Sequence, residues 1–129
     1  MKKLTISKIK KKVWALFSQY IRQKYADKNG YESCYTCGKV LPWKQMQAGH
    51  GIGGRNNSVL FMEEVVRPQC AGCNLWGGGK YSIFAEKLIK EYGSKRYAEF
   101  VFESNKIKPF KIYELEALMD IYKRKLGEL

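Results

Sequence analysis

No run of about 18 consecutive apolar residues occurs in the chain, so no transmembrane helix is expected. The first residues also lack the apolar segment and small-residue cleavage site of a secretory signal. Together these absences point to an intracellular compartment, where thiols stay reduced and paired cysteines read as metal ligands before disulfides. Acidic residues are scarce: twelve Asp and Glu face 24 Lys and Arg, a formal net charge of +12. No low-complexity linker interrupts the sequence and nothing repeats except two Cys pairs, so the 129 residues read as one domain. The chain has a single histidine, so any imidazole chemistry falls to His50.

A charge of +12 makes a polyanion the natural partner, and the charge is polarised. Lys2, Lys3, Lys8, Lys10, Lys11, Lys12, Arg22, Lys24 and Lys28 precede residue 29 with only Asp27 against them. Such a block predicts sequence-independent, salt-sensitive binding to nucleic acid, with Lys10, Lys11 and Lys12 as phosphate contacts; a solvated helix face is the plainer alternative.

Hydrophobic residues make up 45% of the chain, with nine Tyr, six Phe and three Trp, enough apolar surface to offset the entropy of folding. Ile9, Val13, Leu16, Phe17, Tyr20, Ile21 and Tyr25 recur with helical period, predicting a helix from Thr5 to about Asp27, capped by Thr5 or Ser7 and ended by Asn29-Gly30. Residues 31–75 change character. Met46–His50 and Ser58–Met62 read as two strands around the loop Gly51-Ile-Gly-Gly-Arg55-Asn-Asn57. A helical start near Asn74, a pause at Gly77-Gly78-Gly79 and a helix from about Ser82 to Tyr92 follow, closed by Gly93. Residues 93–129 then read as two helices separated by Pro109.

Cys34 and Cys37 form one C-x2-C pair, Cys70 and Cys73 a second. A two-residue gap lets two thiolates converge on one ion at about 2.3 Å, and two pairs complete a closed tetrahedral shell. A structural Zn²⁺ site is expected; two disulfides or inert thiols are the alternatives.

A knuckle, a strand ending in Gly49-His50, a glycine-rich loop, a second strand, then Pro68-Gln69-Cys70-Ala-Gly-Cys73-Asn74 leading into a helix resembles the HNH, or ββα-metal, nucleases. That resemblance implies His50 as the general base that deprotonates water and Asn74 as a ligand of a catalytic Mg²⁺ or Mn²⁺. Neutral imidazole suits the first task at physiological pH, and a hard cation suits a scissile phosphate. Arg55, Arg67 and Lys80 are candidates to hold phosphates, Arg55 near the chemistry itself. The sequence departs from the pattern twice: Gly49 stands where many of these nucleases carry Asp, and Val65 where the middle Asn belongs. Asn56, Asn57, Glu63 and Glu64 are the replacements considered, Glu64 first as an added cation ligand because a carboxylate suits a hard ion.

The runs Met46-Gln-Ala-Gly-His50, Arg55-Asn, Val66-Arg-Pro-Gln-Cys70 and Cys73-Asn74, with Leu4-Thr-Ile-Ser-Lys to Trp14 and Phe17-Ser-Gln-Tyr20, are similar to the NinG/Rap recombination proteins of lambdoid phages. The resemblance implies an α+β, mostly helical single domain around a zinc-stapled ββα-metal core over residues 31–92. It implies a structure-selective endonuclease that cuts branched recombination intermediates, Holliday junctions and D-loops, in the host cytoplasm. Two cuts per four-way junction suggest a homodimer. A zinc-containing module that binds branched DNA without cutting is the alternative.

Overall fold

The computed structural model describes residues 5–129; Lys2, Lys3 and Leu4 lie outside the described residues. The first helix, α1 (Ile6–Lys24), starts where the sequence sets it: the Thr5 hydroxyl accepts a hydrogen bond from the Lys8 amide at 3.2 Å. Of its expected stripe, Ile9, Val13, Phe17 and Ile21 are at 3% exposure or less and Leu16 and Tyr20 half-buried, whereas Tyr25, just past the helix end, is exposed; the helix packs along the last helix, α5 (Ile112–Gly127). Phe17 and Tyr122 meet edge to face at 5.1 Å there.

Two short antiparallel hairpins follow α1. In the first, β1 (Tyr31–Ser33) pairs with β2 (Val40–Pro42) and frames the Cys34–Cys37 turn. In the second, β3 (Gln47–His50) pairs with β4 (Val66–Gln69), setting Gln47 opposite Gln69 and His50 opposite Val66. The partner strand is thus β4, and the strand expected over Ser58–Met62 is instead the one-turn helix α2 (Asn57–Leu60) with its exit. Adjacent Val59 and Leu60 are both fully buried, which a half-buried strand of period two does not allow. So short an apolar run does not separate the two structures by periodicity.

After β4 a π-helical turn (Gly72–Trp76) carries Cys73 and Asn74, and α3 (Tyr81–Tyr92), α4 (Ser94–Ser104) and α5 complete the chain. The core joins Phe17 and Ile21 of α1, Val65 and Val66 at β4, Phe84 and Leu88 of α3, Phe100 of α4 and Tyr122 of α5. The architecture is mixed and mostly helical, and no helix among the described residues is long and apolar enough to cross a membrane.

Candidate functional site

The four cysteines converge. Their sulfurs lie within 4.8 Å of one another and remain unbridged, with Cys37 Sγ 3.7 Å from Cys70 Sγ. Four thiolates around an ion at about 2.3 Å stand roughly 3.8 Å apart, so the cluster is compatible with a zinc-type site. Among the described residues it is the one group of three or more metal-ligating side chains of this kind. Local backbone explains the convergence. Gly38, at φ 81, turns the first knuckle so that its amide reaches Cys34 O at 2.9 Å, and the Tyr35 amide ties that knuckle to Pro68 O of β4 at 2.9 Å. The Cys73 amide donates toward Cys70 Sγ at 3.4 Å.

Burial resists ionisation of Cys34, but hydrogen bonding by the Thr36 hydroxyl and by nearby backbone amides outweighs it and brings the thiol down to about 6. Burial pushes Cys73 up to about 12, so a bound divalent cation would be the counter-charge its thiolate needs. Beside the cluster, Glu32 is 5% exposed and neither of its carboxylate oxygens has a partner; burial raises its carboxyl to about 7 against the pull of Arg22.

His50, the last residue of β3, is 7% exposed. Its Nε2 lies 3.1 Å from the Leu60 carbonyl, which only accepts, so Nε2 carries the proton and Nδ1 is left as acceptor. Burial holds the pKa below its ordinary 6.5; the Leu60 carbonyl pushes upward, and the Arg55 charge pushes down. The ring is therefore neutral at pH 7. The Leu60 carbonyl thereby fixes the orientation of the ring. Trp14 of α1 stacks on the imidazole, centroids 5.2 Å apart and planes at 22°, and also carries the Arg55 guanidinium 4.3 Å from its ring centre. Arg55 itself is exposed.

Asn74 is set by the second knuckle, its amide N–H donating to Cys70 O at 2.9 Å, while its side-chain Nδ2 donates to Gln47 Oε1 at 2.7 Å. Gln47 and His50 occupy opposite ends of β3, three residues or roughly 10 Å apart, and leave opposite faces of the hairpin. The face of Gln47, Gly49, Arg67 and Gln69 meets the Gly77–Tyr92 region, where Gln69 Nε2 reaches Gly79 O and Arg67 reaches Glu91; His50 faces α1. The hairpin thus separates His50 and Asn74 instead of bringing them together. Glu64 pairs with Arg96 of α4 at 2.8 Å, and Glu63 is held by Lys125 and Tyr122 of α5. Between Glu32 and Glu63, and again between Glu64 and Glu86, the sequence has no acidic residue. The Mg²⁺ or Mn²⁺ implied by the nuclease resemblance accordingly meets no preassembled donor set around His50 among the described residues.

Arg67 corrects a sequence expectation. It is 2% exposed, not a surface phosphate contact: its guanidinium donates to the carbonyls of Glu63 and Glu64 at 3.0 and 2.7 Å, to Glu91 Oε1 at 2.9 Å and to Tyr92 Oη at 2.7 Å. Lys10 is half-buried and engaged as well, its Nζ 2.6 Å from Asn57 Oδ1, whereas Lys11, Lys12 and Lys80 are exposed. Sequence reasoning overlooked Trp14 as a site residue, although an aromatic one position off the apolar stripe, on the charged side of α1, was a legible signal. The Leu60 carbonyl leaves no such trace, because any residue supplies one.

No curated protein and no solved structure is significantly similar to the chain. Residues 1–129 match the family described as bacteriophage lambda NinG protein, and on that match over its whole length the chain belongs to the NinG family.

Proposed function

We propose that the chain is a structure-selective, metal-dependent DNA endonuclease of phage recombination, acting on branched intermediates such as Holliday junctions and D-loops, with His50 as general base. The observation that carries this reading is the state of the only imidazole: neutral, protonated on Nε2 with Nδ1 left as acceptor, and stacked on the Trp14 ring that also carries the exposed Arg55. Such a ring takes a proton from water onto Nδ1 as the water oxygen bonds to phosphorus and one phosphoester P–O bond breaks, its electron pair leaving with the sugar oxygen, which takes a proton from solvent. Arg55 would hold the phosphate, and basic side chains including Lys11, Lys12 and Lys80 would grip the DNA arms. A Zn²⁺ held by Cys34, Cys37, Cys70 and Cys73 serves the fold, because four thiolates leave no position open for substrate. The catalytic Mg²⁺ or Mn²⁺ would have to be held chiefly by oxygens of the DNA. The site of action is the host cytoplasm, and a homodimer supplies the two active sites that a four-way junction requires; Phe102, Ile107 and Tyr113, 69%, 98% and 66% exposed, are surfaces on which it could form.

The second reading, a zinc-containing module that binds branched DNA without cutting it, is favoured by the separation of Asn74 from His50 and the lack of nearby carboxylates. Incision of a synthetic four-way junction with Mg²⁺ or Mn²⁺ decides between them. The wild type is expected to cut and His50→Ala to cut at least about 100-fold more slowly at equal binding. Should both proteins bind and neither cut with any divalent cation, the binding module is correct.

A further inference from the structure

Resting on the reading that the substrate is branched DNA, we infer that Trp76 is a stacking platform for a nucleobase whose face is uncovered, and that it makes the protein prefer branch points over continuous duplex. Trp76 is 84% exposed and its neighbour Leu75 56% exposed, an unusual situation for the largest apolar side chain of the protein. The indole projects from a rigid base. It ends the π-helical turn that follows Cys73, where Gly77 N–H donates to Gly72 O at 2.7 Å and Gly79 N–H to Cys73 O at 2.9 Å.

Charge around the indole selects the occupant. Lys80 stands in the left-handed conformation at φ 51, the one non-glycine residue at positive φ among the described residues, and is exposed. Its stem folds across Gly77, where an added Cβ would come 2.6 Å from Lys80 Cε, which brings the lysine stem back to the turn that ends in Trp76. The next residue, Tyr81, reaches toward the Arg55 loop: an added Cβ at Gly54 would lie 3.9 Å from Tyr81 Oη. The indole, Lys80, Tyr81 and Arg55 therefore belong to adjoining loops, and no acidic residue occurs from 65 to 85. An exposed apolar plate in a segment that carries Lys80 and no carboxylate matches a base with its phosphate and not an acidic or purely apolar protein surface. In continuous duplex both faces of every base are already stacked. Away from duplex ends, only a fork, a junction centre or a displaced strand offers a free face.

The test measures binding of the 129-residue chain, in EDTA so that cutting does not interfere, to a fork with unpaired arms, a four-way junction and a duplex of equal length, the duplex ends of all three closed by hairpin loops. Wild type, Trp76→Ala and Trp76→Phe are compared, with 2-aminopurine placed at the fork. Trp76→Ala is expected to weaken fork and junction binding about tenfold or more with duplex binding within twofold, Trp76→Phe to restore most of it, and 2-aminopurine fluorescence to be quenched by wild type alone or with Trp76→Phe. Equal loss on all three DNAs, no loss on any, or a change in sedimentation with DNA binding intact overturns the proposal, the last marking a protein interface instead. Selective binding through Trp76 by a protein that never cuts leaves this inference standing while the nuclease reading fails. Cutting that ignores Trp76 does the reverse.

Discussion

The Gln69 side chain lies directly over the Cα of Gly49: a Cβ at position 49 would overlap Gln69 Oε1 and come 2.7 Å from Gln69 Cδ. Gln69 is fully buried and does not swing away freely, since its Nε2 donates to Thr36 Oγ1 and to Gly79 O, both at 3.0 Å. One amide thus links the first cysteine knuckle, the β3 backbone and the glycine turn, and glycine is what that crossing admits. The departure from Asp at this position is a packing requirement of this chain.

Gly49→Ala is therefore expected to destabilise the protein by about 1–3 kcal/mol through overpacking, and Gly49→Asp by more. The double variant Gly49→Ala with Gln69→Ala should recover part of the loss caused by the first change. Denaturant unfolding of the wild type, Gly49→Ala, Gln69→Ala and the double variant measures this, and strict additivity of the two single changes would remove the coupling claimed here.

The pH dependence of His50 follows from its lowered pKa. The unfolded chain takes up the proton first, near pH 6.5, so the stability contributed by the neutral ring is fully present above that value. It is lost as pH falls through the lower folded pKa. Incision should be level from pH 7 to 8 and decline only below about 6.5, and Arg55→Gln should move that acid limb upward by removing a charge that disfavours protonation. An acid limb centred above pH 7 would contradict a depressed imidazole.

Metal removal probes the cysteine cluster. About one equivalent of zinc per chain is expected after metal-free dialysis, lost in Cys34→Ser, with chelation speeding hydrogen exchange first over residues 31–80. A chain that holds no zinc while its thiols titrate as free would defeat this prediction.

The two arginines first read together should part company. Arg67→Ala removes the donor to buried carbonyls and the partner of Glu91, and a loss of about 3–5 kcal/mol is expected by thermal or denaturant unfolding. Arg55→Ala should change stability by no more than about 1 kcal/mol, since only its contact with Trp14 is lost, yet weaken DNA binding with a shallower salt slope, as should neutralising Lys11 and Lys12. A salt slope that stays the same in these last variants would return them to the role of solvating charges.

Helical periodicity carries much of this fold. The α1 stripe from Ile9 to Ile21, the Gly93 break and the two cysteine pairs are all legible, because helices with one buried face and chelating turns are local patterns. The partner of β3 is not. Ser58–Met62 is the more apolar run and Val66–Gln69 carries Arg67 and Gln69, yet the tertiary core pairs the second with β3. The arginines show the same limit: nothing local distinguishes exposed Arg55 from Arg67, which long-range partners on α3 draw inside. For the site, His50 and the cysteines could be named from the sequence, but the faces of β3 on which His50 and Asn74 stand required the register.

The indole of Trp14 against His50 means that α1 furnishes a wall of the candidate centre while its adjoining face, through Phe17, braces α5. The cysteine-bound hairpin is consequently no portable cassette. A fragment beginning at the first knuckle would keep its chelating turns yet leave the imidazole without its aromatic cover, so shuttling residues 31–92 into another scaffold transfers the staple and not the environment of the histidine.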